Sequence, residues 1–376
     1  MCAPGDAPLL AYYTSHVTLY YLCWSDDAPH GGVFVAYRHV DILNEASIPA
    51  RIVHGKRNFR CTWFENSSNV VSLPLEVVDT DVLVLPEHWN SLLGSLAPGV
   101  PKVSFNQSAF YGLQGYSVNE HPYATSKDLL ATLTVSEQNL HLLEYFFPQN
   151  RFDRVHLSVD HSVFHLPDEP PGRRIAYMTQ KRPDECRMVI DSLTSRGVLK
   201  GWEIVPIEGI PQAEVADTLR STSLFLSFLS QHEGCALSPL EALACGCSVI
   251  GYTGFGAREY FEPLGGITVT DGDVVSFAEE VTNWVENFDA GEHWVAARSI
   301  SESCLKIYSP EQEAADVVSF WRNIQSEMPR SRGVRYTLSR KDVRKGSLRS
   351  LIRRSTPYVQ AGIRELRAVP RSSARS

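Results

Sequence analysis

The chain has 376 residues, a length for two domains, and its 43% hydrophobic and 21% charged residues are those of a globular protein with an ample core. No stretch approaches the ~18 uninterrupted apolar residues of a membrane span. The N-terminus lacks the basic and apolar regions of a signal peptide, and the eight cysteines are scattered, mostly in apolar runs. These features argue against a disulfide framework and a structural zinc site, and for a cytoplasmic protein. The net charge of −8 is unevenly placed: residues 329–376 carry +12, and residues 1–328 carry −20.

The run Val17–Cys23 is apolar on both alternating faces, as a buried parallel strand requires. Its exit, Ser25–His30, leads to Gly31-Gly32, after which Val33, Ala36, Tyr37, Val40 and Leu43 recur at helical spacing. The glycine pair has two readings: a close backbone approach to a phosphate at a helix N-terminus, or a turn of positive φ. Arg51–His54, Asp81–Glu87 and Lys102–Gln107 read as further strands, and Leu133–Val135 as a strand meeting a helix at Ser136-Glu137. Val155–Asp160 ends the first domain. Leu166–Gly172 holds three prolines and a glycine, which fits a linker.

Ile175–Met178 then opens a second series, followed by Gln180-Lys181-Arg182 and a helix from Asp184. Trp202–Pro206 reads as a strand and Pro211–Thr222 as a helix. The apolar run Leu224–Leu229 precedes a loop with Glu233 and Gly234. Ser238, Pro239 and Glu241 there fit an N-cap, a first helical position and an S-x-x-E capping box. Val249–Gly251 and Gly266–Val269 are strands; helices are predicted over Asp271–Phe288, Glu292–Ile307 and Glu311–Ile324. Strands alternating with helices predict an α/β protein with doubly wound parallel sheets.

The stretch Glu233–Gly246, EGCALSPLEALACG, places two acids eight apart at the carboxyl end of a strand, where ligands collect in open α/β sheets. It resembles the nucleotide-sugar loop of the retaining glycosyltransferases of family 4, which have the GT-B fold. The resemblance extends roughly over residues 15–327. It implies two Rossmann-like domains facing an interdomain cleft: an acceptor domain at 1–165, a linker at 166–173 and a nucleotide-sugar domain at 174–308. A helix at 309–328 would cross back to the first domain, before a basic tail at 329–376.

By the same resemblance Glu233 faces the donor sugar and Glu241 holds the ribose hydroxyls. Lys181 binds the diphosphate, with Arg182 as the alternative cation, and Gly234, Cys235, Ala236 and Leu237 complete the donor loop. Gly31 and Gly32 border the diphosphate and the acceptor, whose cleft would be lined by Glu87, Asn106, Gln107 and His121. The implied catalytic pair is Glu233 and Lys181. Glu241 as a capping residue and Glu233 as a solvated acid are the plainer readings of the same residues.

The expected function is transfer of a hexosyl or deoxyhexosyl group from a nucleotide-diphosphate sugar to a glycan or lipid-linked acceptor, with retention and no metal or other cofactor. Asp79-Thr80-Asp81 and Asp271-Gly272-Asp273 spell D-x-D, but in contexts that do not point to a metal site. The chain departs from the family at Gln180, where an arginine is usual, and at Cys235-Ala236. Those departures support the alternative, a catalytically idle GT-B module that binds a glycan or a protein. In the tail, Leu348, Leu351, Ile352, Tyr358, Val359, Ile363 and Leu366 alternate with arginines. This is either a contact for anionic lipid at the inner membrane face or a solvated tail; the acidic body argues against nucleic acid.

Overall fold

The computed structural model describes residues 17–344. The first domain runs β1 (Leu19–Cys23), α1 (Gly31–Glu45), β2 (Ala50–His54), β3 (Val70–Ser72), β4 (Leu75–Val78), β5 (Val82–Pro86), β6 (Lys102–Asn106), α2 (Ala109–Leu113), α3 (Pro122–Thr125), β7 (Leu129–Thr134), α4 (Glu137–Phe146) and β8 (Phe152–Arg154). The second runs β9 (Gly172–Met178), α5 (Pro183–Ser195), β10 (Glu203–Ile207), α6 (Gln212–Arg220), β11 (Thr222–Phe228), α7 (Leu237–Ala244), β12 (Ser248–Tyr252), β13 (Ile267–Thr268), α8 (Val274–Glu286) and α9 (Ala290–Ile307). α10 (Pro310–Ser326) and β14 (Arg335–Leu338) follow.

Two parallel sheets result, in the orders β3-β2-β1-β5-β6-β7-β8 and β10-β9-β11-β12-β13. Every residue of β1 and of β11 is buried, because helices cover both sheet faces. α1 buries Val33, Ala36, Tyr37, Val40 and Leu43, one stripe of its surface.

α10 follows the second domain in sequence but packs into the first. Val317, Phe320, Trp321 and Ile324 join the core around β1 and α1, and Trp321 Nε1 donates to Tyr21 Oη at 2.8 Å. Glu313 on this helix is fully buried, paired with Arg38 at 2.8 Å, with His39 Nε2 at 3.3 Å from its carboxylate. Burial would raise the Glu313 carboxyl, but Arg38, His39 and Ser158 outweigh it and hold it at about 2.

The same helix holds the end of the first domain. Val155–Asp160 follows the edge strand β8 without extending it. The backbone N–H groups of His156 and Ser158 go instead to Asp316 and Glu313 of α10. The first residues of the predicted tail pack on the first domain. β14 pairs antiparallel with β4, and Asp79 accepts from Ser331 Oγ and from the Arg332 and Val334 amides. The apolar and basic side chains assigned to lipid contact, Leu348 onward, lie outside the described residues. Among the described residues no helix is long and apolar enough to cross a membrane.

Candidate active site

Each sheet reverses its strand order at the middle: β1 lies between β2 and β5, and β9 between β10 and β11. Strand ends at such a switch point are left uncovered by crossovers, which makes a crevice for ligands. Six exits meet in one gap: the loops after β1, β5 and β6 on one wall, and those after β9, β10 and β11 on the other. They enclose a cleft of about 400 Å³ that opens into a second cavity of about 510 Å³, with Gly31, Gly32, Glu87, Gln107, Lys181 and Glu233 lining both.

On the second wall Lys181 Nζ is ion-paired with Glu233 Oε1. The lysine side chain is 41% exposed and the glutamate 20%, so an incoming ligand can reach both. Glu241 lines the same cleft, and its setting corrects the capping-box prediction. α7 begins at Leu237, two residues early, with Ala236 as N-cap and no side-chain cap. Ala236 is buried in the second core and its carbonyl accepts from Tyr260 Oη, which fixes the helix entry there. Glu241 thus holds no capping bond. Burial pushes its carboxyl up to about 7, against the lowering pull of Arg38 from the other domain.

Across the cleft, α1 begins at Gly31, and its N-cap His30 makes no side-chain cap. Neither Gly31 nor Gly32 has a positive φ, so the turn reading of the pair fails. Gly32 answers a need for space: a Cβ there would fall 3.1 Å from Gln107 Nε2, which donates to the Gly32 carbonyl at 2.8 Å. Gly234 is more stringent, since a Cβ would fall 1.7 Å from the Gln107 carbonyl oxygen. The donor loop and the first domain therefore meet backbone to backbone. Ser108 Oγ donates to the His232 carbonyl at 2.7 Å, Phe110 stacks on Phe255 at 5.3 Å, and Arg154 pairs with Glu259 at 2.8 Å across the same seam. Cys235 and Leu237 touch both domain cores.

Three expected site residues stand elsewhere. Arg182, at φ 48°, is the N-cap of α5. It is tied to Glu185 at 3.1 Å and to Asp271, and its guanidinium lies over the Tyr252 ring. Its charge is thus committed within the second domain. Asn106 is fully buried and donates to Tyr123 Oη at 2.9 Å. His121 is also buried; its Nδ1 accepts from the Tyr123 amide, and its other nitrogen lies 2.8 Å from the Gly112 carbonyl. Both are packing residues behind the first wall. Glu87 and Gln107 are on the wall, and Glu87 Oε2 accepts from the Gln107 amide at 3.3 Å.

Residues 203–298 match the family model described as Glycosyl transferases group 1. An alpha-1,6-glucosyltransferase of Actinobacillus pleuropneumoniae serotype 7 (strain AP76) is 26% identical over 284 residues, covering 72% of this chain and 84% of that protein. Among solved structures, sucrose-phosphate synthase from Thermosynechococcus elongatus superposes with a TM-score of 0.60 at 13% identity, covering 83% of this chain and all of the other. Anabaena HepE in complex with UDP-glucose gives 0.59 at 10% identity, covering 82% and 100%. The chain is a glycosyltransferase with the GT-B fold.

In this glycosyltransferase several residues in the cleft or beside it escaped the sequence reading. Arg38 reaches from α1 toward both Glu313 and Glu241; only its place on the helix after Gly31-Gly32 hinted at it. Trp24, His30 and His88 line the second cavity, and Phe34 and Trp63 the first. His30 abuts the glycine pair and Trp24 directly follows β1, which are the only local signals they carry. The two D-x-D pairs have structural partners: Asp81 accepts from the Thr18 and Val78 amides, and Asp273 caps α8 through the Ser276 amide.

Proposed function

We propose that the cleft binds a nucleotide-diphosphate sugar and transfers its glycosyl group, with retention, to a saccharide hydroxyl held on the first wall. The observation that carries this reading is the convergence of Lys181, Glu233 and Glu241 from three separate elements onto one cleft, facing Gly31 and Gly32. The C1–oxygen bond to the diphosphate breaks, and a bond forms from C1 to the acceptor oxygen. The acceptor proton passes to the departing diphosphate. Negative charge grows on that diphosphate, so a cation and backbone amides preorganised around it lower the barrier.

Lys181 is assigned to the diphosphate. With no ligand bound its charge is balanced by Glu233, and donor phosphates would take it over. Glu233 is then left to orient the sugar hydroxyls, and Glu241 accepts from the ribose hydroxyls. No metal is assigned a part, because the aspartates of both D-x-D pairs are engaged in caps, turns and ion pairs. The alpha-1,6-glucosyltransferase relative and the HepE complex with UDP-glucose make glucose the first sugar, and uridine the first base, to try.

The test is a thermal-shift titration with UDP, GDP, dTDP and ADP, followed by a donor screen with product mass. A ligand that binds the native state alone raises the melting temperature with its concentration. Stabilisation by one nucleotide and a glycoside product are expected. No stabilisation by any of them would favour the alternative of an idle binding module.

A further inference from the structure

The second cavity has a feature that the donor reading does not use. Trp24 retains 36% exposure although it stands inside a concave wall. Its indole is fixed by neighbouring rings, His88 at 4.2 Å between centroids and tilted by 54°, and His30 edge-on at 5.8 Å. A flat aromatic face held in this way, with polar groups at its rim, is a ready-made surface for an amphipathic ring. A pyranose has that character, with one C–H face and a polar hydroxyl edge.

The charges around this cavity discriminate further. Its lining includes Glu87 and Glu233, while the sole Lys or Arg among the lining residues is Lys181, already paired with Glu233. Once donor phosphates occupy Lys181, only carboxylates and imidazoles remain. A phosphate on the acceptor ring would meet repulsion there, and a neutral ring would not. The cavity also shares Gly31, Gly32, Lys181 and Glu233 with the donor cleft, so a ring stacked there lies beside the transferred sugar.

We propose that this cavity is the acceptor subsite and takes the uncharged pyranose ring of a saccharide, stacked on Trp24. The inference rests on the glycosyltransferase reading for its purpose but not for its test. Binding of methyl α-glucopyranoside, methyl α-maltoside and glucose 6-phosphate to the full chain, with and without UDP, can be followed by ligand-observed NMR in wild type, Trp24→Ala and Trp24→Phe. Each variant is also melted with and without UDP to establish that it is folded. The neutral glycosides are expected to bind better than the phosphate, to lose roughly tenfold or more of their affinity in Trp24→Ala, and to recover most of it in Trp24→Phe.

Equal glycoside affinity in wild type and folded Trp24→Ala, absence of glycoside binding, or a preference for glucose 6-phosphate in the presence of UDP would each overturn the proposal. If nucleoside diphosphates fail to bind while glycoside binding still depends on Trp24, the donor assignment falls and this one stands.

Discussion

The two walls of the cleft are built differently. On the second wall the key groups sit on one short motif, Glu233 to Glu241, plus Lys181 from the next strand end. On the first wall they come from three separated segments, around Trp24–His30, Glu87 and Gln107–Tyr111. Binding a diphosphate demands charges and amides at set distances, and one strand–loop–helix unit with the end of the adjacent strand can supply these. Seating a sugar ring demands shape and aromatic surface, which many combinations of segments can provide. The first kind of task leaves a motif; the second leaves scattered residues.

Substitutions on each side can break or sharpen this contrast. The largest effect is expected from Trp321→Ala, which empties the core position that ties α10 to the first wall. A loss of about 3–5 kcal/mol in denaturant unfolding is expected, carried mainly by the first domain. A loss below ~1 kcal/mol would mean that the helix only rests on the surface.

Next comes Lys181→Ala, which should reduce turnover by about 10²–10³-fold at saturating donor while leaving the melting temperature nearly unchanged. Arg182→Ala should instead lower stability and leave turnover within a few-fold. The reverse pattern would move the phosphate contact to Arg182.

Smaller effects attach to Glu241 and have opposite signs with pH. Its folded value, about 7, lies above the ordinary 4.5. The stability it contributes is therefore present below 4.5 and lost as pH rises through about 7. Glu241→Gln removes that loss and should be the more stable protein above about pH 7, by roughly 1–2 kcal/mol. Nucleotide affinity in the wild type should rise over the same interval, because the ionised carboxylate is the stronger acceptor of hydroxyl hydrogen bonds. Glu241→Ala should weaken nucleotide binding roughly tenfold or more. Calorimetric titration at several pH values checks both signs.

Much of the architecture was legible in the sequence, because buried parallel strands such as β1 and β11 are continuous apolar runs and helices such as α1 show a single stripe. The errors cluster where tertiary contacts compete with local signals. Ser238 and Pro239 look like a helix start, yet the packing of Ala236 and its bond from Tyr260 set the start earlier. Asn106 at the end of β6 and His121 at the N-cap of α3 are polar residues whose exposure cannot be told from burial until Tyr123 and Gly112 are seen beside them. Arg182 looks equivalent to its neighbour Lys181, and only a left-handed backbone turn separates their surroundings.

The passage of α10 back onto the first domain has a practical meaning for recombination. A fragment ended at the proline-rich linker would carry an open slot where Trp321 belongs, and an unanswered Arg38 where Glu313 belongs. Exchanging sugar specificities between relatives by joining halves at that linker would therefore mate a foreign terminal helix with a resident core. The cleaner graft transplants residues 174–308 alone and keeps each parent's own head and closing helix together.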